Sequence, residues 1–247
     1  ALGIMAVRLP MMLVGTSITQ VFFQKASEER IQTGGVQNVV REVHTRLISV
    51  GIFPFVVFAI LAEDLFTFVF GANWLTAGTY AMILTPWLFT VFAVSPIMSL
   101  FGVLDRQRAF FFFEITTLCT WLLLFSVGGI LGNPITVLML FSAGGVILWG
   151  AKSMYLIKES GTGYRDSTRS LARHLLISIL LALPIMVGRY AGVPFLLLLV
   201  VAGISAAAYY LLIFFTDTLI RREVMGVVRV SLSPKYLGWL ERLGLLR

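Results

Sequence analysis

The stretch LLISILLALPIMV (175–187) carries one hydroxyl and no charge along thirteen residues. A strand of a membrane barrel would alternate apolar and polar positions, and a helix on a soluble core would keep a polar face. This stretch does neither, which leaves a helix surrounded by lipid and protein, its backbone satisfied internally. Working outward, similar runs recur at approximately 2–24, 47–70, 80–104, 109–131, 135–157, 174–190 and 194–216. A hydrocarbon core of roughly 30 Å takes about 20 helical residues, close to the length of each run. Of the 247 residues 58% are apolar and only 13% charged, with a mean hydropathy of +0.93. One soluble core of that size cannot take in so much apolar surface. The predicted fold class is all-α, a polytopic transmembrane bundle of about seven helices.

The net charge of +7 would fit nucleic acid, but its distribution points to a membrane. Of the 19 Lys and Arg, 17 fall in residues 25–46, 105–108, 152–173 and the tail after 216. These are alternate connections, and basic connections stay on the cytoplasmic side. The first helix is therefore expected to run from outside to inside, with the C-terminus cytoplasmic. Glu63, Asp64 and the turn Gly132-Asn133-Pro134 lie on the outer side, where Arg189 is the one basic residue.

The expected organisation has helices over 1–157, a cytoplasmic linker rich in Gly, Ser, Thr and charge over 158–173, two further spans over 174–216, and a tail over 217–247. Two segments are amphipathic: 36–47, and a tail helix capped by Ser233 and begun by Pro234. Both are expected at the headgroup layer, or, for the first, packed on the bundle. The chain starts at Ala1 within an apolar run and is expected to be the C-terminal part of a longer transporter.

An enzyme is not expected. His44 and His174 have no ligand at metal spacing, the single Cys119 lies in an apolar run, and no cofactor motif, metal set or catalytic group stands out. Arg8 does. An arginine within a span costs about 2.5–3.5 kcal/mol and faces protein or water. Met12, Thr16 and Thr19 follow it at i+4, i+8 and i+11, with Ser17 and Gln20 at the edge, making a polar stripe that fits a cavity wall. The competing reading has Arg8 snorkelling to the headgroups, which leaves the deeper polar residues unexplained.

Glu114 sits about one and a half turns into its span, with Thr117 and Trp121 at i+3 and i+7. It either binds a coupling cation or pairs with a basic group, or it reaches the interface and pairs with Arg106 or Arg108. Gly128 and Gly132 form a close-packing pair. Pro54, Pro86, Pro96 and Pro184 allow bends, and Ser95 and Ser99 stand ready to satisfy carbonyls near Pro96.

Three segments resemble a family. Arg8-Leu9-Pro10 followed by LVGTSITQVFFQKASE (13–28), LFTFVFGANWLTAG (65–78) and ILTPWLFTVFAVSPIMSLFGVLDRQR (83–108) resemble, in order, elements in the second half of polysaccharide flippases. These are O-antigen and exopolysaccharide exporters of the multidrug/oligosaccharidyl-lipid/polysaccharide exporter superfamily. Gln24 stands where many relatives have proline, and Asp105 replaces a common glycine or glutamate. The resemblance implies the second lobe of an alternating-access bundle plus two extra helices, completed by an N-terminal lobe of the same parent protein. It implies transport of undecaprenyl-diphosphate-linked oligosaccharide across a bacterial cytoplasmic (inner) membrane, driven by a coupling ion such as a proton or sodium. Arg8 would then contact the diphosphate, and Thr16, Thr19 and Gln20 the sugars. The partners implied are that substrate and membrane lipids, not nucleic acid. The alternatives are a multidrug or peptidoglycan-precursor exporter of the same superfamily, or a membrane scaffold.

Overall fold

The computed structural model describes residues 19–217 and residue 221. All regular structure there is helical: α1 (described over 19–33), α2 (Gln37–Phe70), α3 (Leu75–Val94), α4 (Leu100–Val103), α5 (Gln107–Leu131), α6 (Pro134–Glu159), α7 (Tyr164–Tyr190) and α8 (Phe195–Thr216). Short 3-10 turns, Ala72–Trp74 and Ser95–Ser99, precede α3 and join it to α4. Six of these segments are long and apolar enough to cross a membrane, so the chain is a multi-pass helical bundle. The expected spans from 47–70 onward each find their helix; most of the span 2–24, including Arg8 and Thr16, lies outside the described residues.

The basic segment 25–46 is not a loop. Gly34 closes α1 with φ +78°, and three residues later, at Gln37, the chain is helical again. The first amides of α2 would be orphans, but the Glu29 carboxylate accepts from the N–H of Asn38 at 3.1 Å and Val39 at 2.9 Å. The amphipathic stretch 36–47 is therefore the first turns of α2, not a helix of its own. Its 34 residues extend about 50 Å, so one end stands clear of the hydrocarbon. Val36, Val40 and Ile48 are buried with Phe22 and Ala26 of α1, Ile97 and Leu100.

The expected linker 158–173 is also helical for most of its length. α6 runs to Glu159 and α7 starts at Tyr164, leaving 160–163 as the connection. Polar residues made this segment read as a loop, but Ser167 and His174 are buried on a helix packed against α2. The last two spans are thus attached to the rest: Leu61 of α2 packs with Ala182, Ile185 and Leu198, and Phe53 with Tyr209 and Ile213. The tail helix expected from Ser233 lies outside the described residues.

Close backbone approaches set the spacing of neighbours. A Cβ on Gly78 of α3 would stand 2.6 Å from Glu63 Cα of α2, and one on Gly128 of α5 would stand 2.5 Å from Val137 of α6. Gly132 does not share in that packing. It is the left-handed residue that ends α5, donating its N–H to the Gly128 carbonyl, as glycine at this position commonly does.

Candidate functional site

Of the residues expected to line a cavity, Thr19 and Gln20 are described. Phe22 and Ala26 form the buried face of α1. At about 100° per residue, Gln20 and Gln24 point to the opposite side of the helix and Thr19 to its margin. Gln20 and Gln24 are accordingly exposed and Thr19 half-buried. The described helices leave this polar side of α1 uncovered.

The other candidate, Glu114, has a partner that the sequence did not offer. Its Oε1 accepts from Lys152 Nζ of α6 at 2.6 Å. Lys152 is 2% exposed, while the Glu114 side chain is 47% exposed. Both stand seven residues from the same end of the bundle, on α5 and α6 respectively, about 10 Å in at 1.5 Å per residue. Lys152 shares the buried face of α6 with Gly145, Leu148 and Leu156, and its ammonium lies 5.2 Å from the Trp149 ring centroid. The expectation that Glu114 pairs with Arg106 or Arg108 is corrected. Arg106 binds Glu159 at 2.7 Å instead, at the mouth of the bundle.

Counted by composition alone, Lys152 belonged to the cytoplasmic charge. The available signal was its register: it repeats Gly145 at i+7 and precedes Leu156 by one turn, on the inward face of α6. A buried ammonium is expensive unless paired, and a charge pair within membrane helices marks function more often than stability.

The predicted face of α5 from Glu114 through Thr117 to Trp121 does turn toward α6. Thr117 is buried and donates to the Phe113 carbonyl at 2.7 Å. Trp121 stacks on Phe141 of α6, with ring centroids 3.9 Å apart, and Trp87 of α3 meets the same ring edge-on at 4.9 Å. Gly145 leaves the room, since a Cβ there would fall 2.2 Å from the Trp87 ring. The Trp87 indole N–H is buried with no acceptor among the described residues. The charge pair therefore stands beside an aromatic layer that joins α3, α5 and α6.

A second charge group closes the far end. Arg189 of α7 reaches Glu63 at 2.6 Å and Asp64 at 2.5 Å, and Thr79 of α3 donates to Glu63 at 2.7 Å. The two acids and the one arginine expected on the outer side thus pair with one another, across α2 and α7. At the basic end, His44 of α2 is buried between the hydroxyls of Ser153 of α6, at 3.5 Å, and Ser167 of α7, at 3.3 Å. It is a core histidine that ties three helices. Compared with known proteins, the chain matches no family model, no curated protein and no solved structure, so its function has to be argued from its own residues.

Proposed function

We propose that the chain is one lobe of a transporter that moves lipid-linked, phosphate-bearing oligosaccharides across a bacterial cytoplasmic membrane, with its C-terminus in the cytoplasm. The observation that carries this reading is the Lys152–Glu114 pair, 2.6 Å long and set within two apolar spans. Such a pair costs more than an apolar contact of the same size, and coupling-ion and substrate pathways are where membrane proteins keep charge. A proton or sodium ion on Glu114 would compete with Lys152 and loosen α5 from α6, which is how a coupling ion would bias a rocking bundle.

Three further features support it. The resemblance gives Arg8 as the diphosphate contact, and the outward-facing amides of Gln20 and Gln24 on α1 would offer hydrogen bonds to sugars. The described basic stretches around residues 30, 106 and 160 meet at one end, through Arg30–Asp105, Arg106–Glu159 and Gln37–Gly161, as cytoplasmic loops do. The three segments that resemble polysaccharide flippases include the α3–α4 break at Ser95–Ser99, where Ser99 returns a hydrogen bond to the Pro96 carbonyl at 3.0 Å.

The test is genetic. The gene is deleted in its host and complemented with wild type, Arg8→Ala or Glu114→Gln at matched membrane levels, and surface polymer and intracellular lipid-linked repeat units are measured. The expected result is loss of polymer with accumulated precursor, restored by wild type and by neither variant. Unchanged surface polymer in the deletion strain would turn the assignment toward drug export or a scaffold.

A further inference from the structure

α7 carries a stripe that its packing on α2 does not use. Arg165, Arg169 and Arg173 lie within roughly 80° of arc, and Leu176, Leu180, Leu183 and Val187 continue along the same arc. All seven side chains are exposed. Charge fills the first turns and large apolar groups fill the rest, so the stripe changes character where a headgroup layer would meet hydrocarbon.

At the charged end the stripe borders a cavity of about 270 Å³ between α2 and α7, lined by Arg41, Thr45, Arg169, Ser170, Arg173 and His174. Arg41, Arg169 and Arg173 make no ion pair among the described residues. Asp217, just past α8, is the carboxylate at the same cavity, leaving three guanidinium groups against one acid. His174 borders the cavity as a buried side chain, its Nδ1 donating to the Ser170 carbonyl at 2.8 Å.

We propose that this cavity binds the phosphate of an anionic phospholipid of the adjoining leaflet, with the acyl chains lying along Leu176, Leu180, Leu183 and Val187. Guanidinium groups grip a phosphate through paired N–H donors, and basic pockets between membrane helices take anionic headgroups. The apolar continuation of the stripe is what distinguishes a lipid from a free anion. This site needs only the membrane bundle and stands whether or not the transported substrate is an oligosaccharide.

The test is native mass spectrometry of the protein purified from membranes, titrated with dioleoylphosphatidylglycerol, dioleoylphosphatidylcholine or inorganic phosphate. The glycerol lipid is expected to stay bound under activation that strips the choline lipid. R169Q/R173Q should weaken its retention about thirtyfold, and R41Q, on a different helix, should weaken it in the same direction. Equal retention of the two lipids, or undiminished retention in both variants, would overturn the proposal. Complete displacement by millimolar inorganic phosphate would overturn it as well, since the acyl chains would then contribute nothing.

Discussion

Tyr210 of α8 donates its hydroxyl to the main-chain oxygen of Val50 in α2 at 2.9 Å. In an unbroken helix that oxygen would accept from residue 54, and residue 54 is a proline with no N–H to give. Tyr209 beside it donates to the Ser49 oxygen at 2.8 Å. α8 thus supplies a side-chain donor to the carbonyl that Pro54 leaves without its helical partner, and a second donor to the carbonyl one residue before it, where lipid has no hydrogen bond to give. Tyr210→Phe should cost about 0.6–1.7 kcal/mol, the range for such bonds in membrane proteins. In a Pro54→Ala background the backbone N–H returns and the same substitution should cost almost nothing. Thermal unfolding of the four proteins in detergent reads this cycle directly.

Adjacent glycines at the end of α5 should behave differently. A Cβ at position 128 meets the Val137 side chain, whereas one at 129 meets nothing within 4 Å. Gly128→Ala should lower the unfolding temperature, and Gly129→Ala should leave it unchanged or raise it, since alanine is the better helix former. Because the obstruction at 128 is the Val137 side chain, Gly128→Ala with Val137→Ala should recover most of the loss.

The Lys152–Glu114 pair is unequally buried, and its two deletions should be unequal too. Glu114→Gln strands an ammonium that is 2% exposed, a loss of the order of a few kcal/mol. Lys152→Met leaves a carboxylate that is already half exposed and should cost less. The double substitution should be more stable than Glu114→Gln alone. Unfolding of the purified variants gives the order, and the reverse order would contradict the burial argument.

Asp105 has φ +57°, a left-handed conformation that costs most side chains about 1–2 kcal/mol. Its compensation is an ion pair with Arg30 at 3.0 Å, and exposed pairs of this kind contribute about 0–1 kcal/mol. Asp105→Gly should therefore be neutral or stabilising, and Asp105→Val should destabilise, both read by the same unfolding measurement.

The membrane helices were legible because continuous apolar runs leave few alternatives. Where they begin was not: 36–47 and 158–173 read as surface helix and linker since their charge and hydroxyl content matches either. Only contact with neighbours, such as Glu29 on the α2 amides or buried Ser167 and His174 on α2, makes them the first turns of membrane helices. The same limit applied to charge. Glu114 stood out as an acid inside a span, but Lys152 was hidden among the loop cations, because pairing across two helices is a tertiary fact. Arg189 and Glu63-Asp64 were each assigned to the outer side, yet nothing local joined them. At Gly128 and Gly132, four-residue spacing fitted a packing pair, while the second glycine serves the chain's turn.

The most direct measurement is translocation itself. The protein purified from its native membranes is reconstituted into vesicles holding a lipid-linked oligosaccharide, and the sugar accessible at the outer face is followed with an impermeant glycosidase. The account predicts that wild type equilibrates the lipid between leaflets, and that Glu114→Gln and Lys152→Met, at equal reconstitution, slow this at least about tenfold. Vesicles in which wild type leaves the lipid in its original leaflet, or in which both variants move it at the wild-type rate, would contradict it.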